Sequence, residues 1–491
     1  MSAEANKKFS PAQIVIVIVA VLLMFGTSFL PPIFGLTLSG MRVLAILIAG
    51  LMIWLFVGIE WASILILMSL MMIPELGPGA VMAGSLGNGT VYFLILTFML
   101  SASLAYTGVA KRLAIWFMTS KLSRKGPWFT VGMIYISIFV LASGLSATAT
   151  LLVFIPIFYE IFKTLSYEKS DKDPFPSMMM LGLVVIAQLA QSTTPISHAM
   201  TLIGMATYGR MTGNEMSFFD YTSVAMPIGI VILVLWFLLC RFVLKPDVSR
   251  MSRLDFDSIK AQQGPMSTEE KIASFIYLTV VVLWVMPGLT QQLIPALSPI
   301  FSGIHQNYPP TVGIVLLHFI RIKGKPVLPY DEAIKAVPWN LALFMGCLLM
   351  IGTAFSNGDI GLQTWIPEVL GPALGGVSGV VFLVILILIL TLITNFLSIA
   401  VVIAIGMTIA IPLALSIFSG QINPTLVAIM ITAVAQYSYA TAPSTPPAAV
   451  AIGSGWTVGK LYFWQGMAIA FIGAAVLLIL GFALGNVIHP A

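Results

Sequence analysis

Apolar runs of about 18 or more residues recur from one end of this 491-residue chain to the other, each long enough to cross a ~30 Å hydrocarbon layer. Backbone N–H and C=O groups find no water there, so such runs must satisfy their hydrogen bonds internally as helices. The charge content agrees: 8% of residues are charged, against about 25% in an average soluble domain. Mean hydropathy is +1.03. The expected fold class is an all-α polytopic membrane protein. The longest polar insert, Lys245 to Lys271, is a loop rather than a domain. The first apolar run continues into "TSFLPPIFG" without a small-x-small cleavage site and reads as a retained helix. Cys240 and Cys347 both fall in apolar segments, so neither a disulfide framework nor a metal site is expected, and no cofactor.

Spanning helices are expected near 12–30, 41–57, 60–75, 91–109, 178–208, 223–244, 272–290, 309–321, 338–356, 424–458 and 465–488. Two further apolar regions, 128–162 and 377–416, are too long for one span and are polar or kinked at their centres. If each enters and leaves on the same side, every one of the 23 Lys and Arg except Arg42 and Arg210 falls on one face. That face carries the N-terminus, 110–127, 163–177, 245–271, 321–337 and Lys460. The positive-inside rule makes it cytoplasmic and puts the C-terminus outside. A true two-span hairpin would preserve the same charge parity. The polar centres favour re-entrant hairpins, giving about 11 transmembrane helices plus two re-entrant hairpins.

The first centre reads "LASGLSATATLLVFIPIF", with Ser143, Ser146, Thr148 and Thr150 around Gly144. The second reads "LITNFLSIAVVIAIGMTIAIP", with Thr394, Asn395 and Ser398. Small hydroxylated residues suit a break between two half-helices, where they cap exposed N–H groups. Each region is followed by a proline-interrupted segment. These are "QSTTPISHAMTLIG", with Thr194 and Pro195, and "ATAPSTPPAAVAIGSG", with Ser444, Thr445 and Pro446. Proline removes a backbone donor and clashes with the preceding turn, so both segments should unwind near mid-membrane. Hairpin followed by broken helix therefore occurs twice, entering from opposite sides. Inverted repeats with paired interruptions are the sequence pointer to a transporter binding site. Half-helix N-termini there attract anions, a carboxylate foremost. Small residues that only permit close helix packing are the structural alternative at any single position.

These motifs resemble the divalent-anion/sodium symporter family of di- and tricarboxylate or sulfate transporters. That family shows a Ser-Asn-Thr motif at each of two hairpin tips and Gly/Thr/Pro-rich breaks beyond them. Here the first tip reads Ser146-Ala147-Thr148 and the second Ser398-Ile399-Ala400. "STPP" followed by "AIGSG" looks like the family's second break, and "TLIG", Thr201 to Gly204, like part of the first. The departures are specific: both tip asparagines are replaced, by Ala147 and Ile399. Ser197, His198 and Met200 stand where the family places small residues. Loss of hard oxygen ligands argues against ordinary Na⁺ binding. His198 is then the candidate substitute for the cation, donating N–H bonds to a carboxylate or carrying positive charge. The alternative is a neutral, hydrogen-bonded core histidine.

With these departures the expectation is a sodium-independent exchanger of C4/C5 dicarboxylates (succinate, malate, fumarate or 2-oxoglutarate), and the resemblance implies a homodimer with elevator-like movement. Na⁺- or H⁺-coupled symport of di- or tricarboxylate or sulfate is the alternative. Substrate contacts are expected from Ser146, Ala147, Thr148, Thr194, Pro195, His198, Thr394, Asn395, Ser398, Ser444, Thr445 and Pro446. The implied organisation has scaffold helices and an interfacial arm in 1–127, a first transport-unit half in 128–244 and a cytoplasmic loop in 245–271. Scaffold helices 7–9 follow in 272–376, and the second transport-unit half in 377–491. The expected partners are small dicarboxylates, the lipid bilayer of a bacterial plasma membrane, and a second copy, with no nucleic acid. A membrane-embedded enzyme would need an intramembrane Asp pair or clustered histidines, and the four histidines are scattered.

Overall fold

The computed structural model describes residues 9–33, 35–169, 173–196, 198–261, 263–374 and 376–488. Ser197 and the N-terminal residues before Phe9 lie outside them. Among the described residues the regular structure is helical, apart from one two-residue ladder pairing Arg321–Ile322 with Lys325–Pro326. A helix stands at each expected span. Nine of those described are long and apolar enough to cross a membrane, or up to ten with one bent pair. The spans expected at 60–75 and 309–321 are Glu60–Met71 and Tyr308–Phe319, 12 residues each. At 1.5 Å per residue these reach only about 18 Å, which is why a length criterion passes over them. The segment 357–376, expected as a connection, contains a further helix, Leu362–Leu374.

Helix lengths repeat half a chain apart. Gly89–Tyr106 and Trp339–Ser356 both have 18 residues, and Pro127–Ala142 and Gly379–Thr394 both have 16. Ala147–Thr164 and Ile399–Leu415 follow with 18 and 17. The order short helix, long helix, two-armed unit, interrupted crossing thus occurs twice.

Each two-armed unit is a helical hairpin. In the first, Pro127–Ala142 and Ala147–Thr164 flank a four-residue tip, Ser143 to Ser146. Both arms run back along the helix Pro174–Gln191. Thr194, just past that helix, bonds the tip at Ser143 O (2.9 Å). Tyr135 of one arm lies against Gly182 at its middle, and Phe162 of the other reaches Phe175 at its start (ring centroids 6.4 Å). In the second hairpin, Gly379–Thr394 and Ile399–Leu415 flank Asn395 to Ser398. Its open end is tied by Gly379 N donating to Gln421 Oε1 (2.8 Å) and by the stacked rings of Phe382 and Phe418. The helices cradled by the hairpins, Pro174–Gln191 and Pro424–Ala435, are buried on nearly every face. Apolar residues all round a helix are what full enclosure requires.

Segments that the charge pattern assigns to one face touch one another. The arm helix Val109–Met118 begins at Gly108 and is held to the start of Thr268–Leu293 by Arg112. Its guanidinium forks onto Glu270 (Nε to Oε1 2.8 Å, Nη2 to Oε2 2.9 Å) and donates to the carbonyls of Gln263, Gly264 and Pro265. Glu270 closes a capping box with Ser267 at the same helix end. A second fork, Arg124 to Asp257 (2.5 Å), is open to solvent, and its hydrogen bonds hold the Asp257 carboxyl below the usual range.

The two forks should behave differently. Arg112→Ala leaves a buried carboxylate unpaired and is expected to cost about 3–5 kcal/mol. Arg124→Ala should lie within error of the parent, because an exposed pair competes with water. Unfolding of the purified protein in detergent, by denaturant or temperature, reads both.

Candidate functional site

Hydrogen bonds join each tip to its own interruption, and the helices that flank the two interruptions bond one another. In the first interruption the helix ends at Gln191 and resumes at Ala199, with Pro195 between. Ser192 and Thr193 turn their hydroxyls back onto the carbonyls of Leu189 and Ala190 (2.7 Å each), ending the helix. In the second the helix ends at Ala435 and resumes at Pro446, the first residue of Pro446–Gly453. Unwinding there begins at Gln436, well before Pro443. The cause is the second tip rather than the prolines.

Asn395 is that cause. Its Nδ2 donates to Thr391 O (2.9 Å) and Tyr437 O (3.1 Å), and its Oδ1 accepts from Tyr439 N and Ala440 N (2.9 Å each). Thr394 donates to Ala435 O, Ser438 to Thr394 O (2.8 Å) and Thr441 to Asn395 O. Asn395 and Thr394 are fully buried. One amide side chain therefore substitutes for the helical ladder over the unwound strand, which is how broken backbone is tolerated in a membrane interior.

A quasi-equivalent bond joins the first tip to its break. Thr194 donates to Ser143 O as Thr441 donates to Asn395 O, and Ser143 and Asn395 each end the first arm of their hairpin. The first tip is also held from outside its repeat. Ser101 and Tyr277, on Gly89–Tyr106 and Thr268–Leu293, both donate to Gly144 O (2.9 and 2.8 Å). The two breaks touch directly. Gln436 Nε2 donates to Thr201 Oγ1 (3.0 Å), Thr201 donates to Gln191 O (2.9 Å), and Tyr221 donates to Ser192 O (2.9 Å). Gly204 lies so close to Thr432 that an added Cβ would fall 2.0 Å from its Oγ1.

Four helices start at these tips and breaks, and their N-termini are not alike. Ser146 caps the second arm of the first hairpin by accepting from Ala149 N (3.2 Å), and Thr445 caps Pro446–Gly453 by accepting from Ala448 N (3.3 Å). Ser398 and His198 stand at the N-cap positions of Ile399–Leu415 and Ala199–Thr212, and neither side chain caps its helix. Those first-turn N–H groups carry the positive end of the helix dipole.

Among the residues singled out from sequence, Thr194, Thr394, Asn395 and Ser444 direct their hydrogens to protein carbonyls, Ser444 to Thr441 O (2.6 Å). Ala147, Pro195, His198 and Thr445 are buried, while Ser146 and Ser398 are half-buried. Thr148 and Pro446 are exposed. Gln436, Thr201, Thr441 and the Gly144 carbonyl were not singled out as site residues. An amide such as Gln436 inside the apolar run "AIMITAVAQY" was the available signal. Among the described residues, no three His, Cys, Asp or Glu gather as a metal-binding group.

The family profile described as the sodium:sulfate symporter transmembrane region matches residues 11–489. The sodium-dependent dicarboxylate transporter SdcS of Staphylococcus saprophyticus is 23% identical over 468 residues, 92% of this chain and 87% of that protein. SdcS of Staphylococcus aureus is 24% identical over 499 residues, 96% of this chain and 91% of the relative. Two solved structures share the fold. The YdaH transporter of Alcanivorax borkumensis has a TM-score of 0.56 at 14% identity, covering 97% of this chain and 98% of its own. MtrF of Neisseria gonorrhoeae, described with a class of antimetabolite efflux pumps, has a TM-score of 0.52 at 13% identity, covering 97% and 95%. These relatives are membrane transporters, not enzymes.

Asn395→Leu should remove four hydrogen bonds and leave buried groups of the 437–440 strand unpaired, at about 1–3 kcal/mol for each. Transport in proteoliposomes is expected to fall to background with lowered thermal stability. Asn395→Asp, which keeps the acceptor and loses the donors, should retain more of both.

Proposed function

The chain belongs to the sodium:sulfate symporter family, and on that premise we propose that it is a secondary transporter exchanging small C4/C5 dicarboxylates across the membrane. The observation that carries the anion is the pair of helix N-termini at Ser398 and His198, whose own side chains do not cap them. Two such ends suit a substrate with two carboxylates, each accepting first-turn N–H bonds. Ser146 and Thr445 already fill the other two. Ser398, Thr148 and the buried ring of His198 supply the remaining donors. Asn395, Thr394 and Thr194 act one layer out, fixing the tips against the breaks.

Exchange without sodium is supported by Ala147 and Ile399 at the tips, where neither side chain offers an oxygen. His198 then supplies the donors or the charge that a cation would bring. In this reading the hairpins and broken crossings of both repeats, joined through Gln436 and Thr201, move as one body against the flanking helices in each subunit of a dimer. The arm and the loop 245–271 face the cytoplasm. Sodium-coupled uptake is the second reading. It is favoured by the SdcS relatives, which are sodium-dependent.

Proteoliposomes preloaded with unlabelled succinate and given labelled succinate outside decide between them. Exchange should require internal dicarboxylate and be unchanged when external Na⁺ is replaced by choline. A strict Na⁺ requirement selects the second reading. His198→Ala should raise KM at least about tenfold, the loss of one hydrogen bond to a charged group. An unchanged KM removes His198 from the site.

A further inference from the structure

The arm between the helix Gly89–Tyr106 and the first hairpin has an outer surface left exposed by the described residues. Val109, Ala110, Ala114, Ile115 and Met118 face the protein. Trp116 and Leu122 are 61% and 47% exposed, and Phe129, at the start of the hairpin, is 48% exposed. Between them stand Lys111, Lys121 and Lys125, all exposed. Both arginines of the arm are neutralised, Arg112 by Glu270 and Arg124 by Asp257. The three lysines make no ion pair among the described residues. The arm therefore presents net positive charge interleaved with large apolar side chains, directly after a segment long and apolar enough to span the membrane.

Water does not favour that surface, and neither does the hydrocarbon core. Exposed Trp, Leu and Phe prefer the boundary between acyl chains and headgroups, while lysines extend their ammonium groups into the phosphate layer. We propose that the arm is a docking surface for anionic phospholipid, with Lys111, Lys121 and Lys125 contacting headgroup phosphates and Trp116 and Leu122 set among the acyl chains beneath. Charge complementarity selects this occupant: an unpaired lysine near an anionic leaflet strengthens binding about fivefold. A second protein copy seated here would leave three ammonium groups against a like-charged surface. Because the arm joins the Gly89–Tyr106 helix to the first hairpin, its depth in the headgroup layer sets the position of that hairpin. The inference does not depend on which anion is carried.

A bimane probe on Leu122→Cys, in the full chain reconstituted in nanodiscs, tests it. Both native cysteines are buried, so labelling is confined to the new site. Spin-labelled phosphatidylglycerol at a tenth of the lipid should quench the probe at least twice as strongly as the same fraction of spin-labelled phosphatidylcholine. The preference should shrink as salt is raised. Changing Lys111, Lys121 and Lys125 together to Gln should abolish it, and changing all three to Arg should preserve it. Equal quenching by the two lipids, or a preference that survives the Gln changes, overturns the proposal. Absence of quenching by either lipid also overturns it and points to a protein partner over the arm.

Discussion

Every interrupted helix in this molecule faces one constraint: inside a bilayer, a backbone group released from a helix must find another partner within the protein. The chain meets it twice with the same device. A hairpin tip is laid against an unwound strand, and each side supplies the hydrogen bonds the other lacks. Thr194 serves Ser143, and Thr441 serves Asn395. Asn395 adds two donors and two acceptor contacts of its own. Without these bonds the breaks would either close into helix or expose polar backbone to lipid. The helix starts at the tips and breaks would then be lost.

The two repeats use the device unequally. The second tip is secured within its own repeat, through Asn395, Thr394 and Ser438. Among the described residues the first has one side-chain bond to its break, from Thr194, and is gripped at Gly144 O by Ser101 and Tyr277 from two flanking helices. Its carbonyl is reachable because Gly144 has no side chain: a Cβ there would stand 2.5 Å from the Tyr277 hydroxyl. One tip is thus anchored to its own break, the other to elements outside it. Capping is uneven as well, since Ser146 and Thr445 fill their helix ends while Ser398 and His198 do not.

Much of this was legible in the sequence. Apolar run length placed a helix at each expected span, and small hydroxylated residues placed both tips at Ser143–Ser146 and Asn395–Ser398. Pro195 placed the first break correctly, because a missing N–H is a local property. The second break was assigned to Pro443, Pro446 and Pro447, yet it starts at Gln436. There the helix is opened by a side chain 41 residues earlier in the chain, Asn395, whose reach depends on how the hairpin packs. The helix Leu362–Leu374 lies between the expected span 338–356 and the expected hairpin 377–416, and it carries Pro367 and Pro372 inside it. Of the polar residues expected as substrate donors, Thr194 and Thr394 are turned onto protein carbonyls 51 and 41 residues away, an outcome set by partners remote in sequence.

The sequence by itself determined that the chain is a helical membrane protein, that its architecture is repeated, and where most helices start and stop. Hydrophobic length, caps and prolines act over a few residues and need no knowledge of neighbours. Only the tertiary structure decided which amides and hydroxyls support the broken backbone and which N-cap side chains cap their own helices. A hydrogen bond between Asn395 and Tyr439, or between Gln436 and Thr201, exists only once distant segments have been packed together in the membrane.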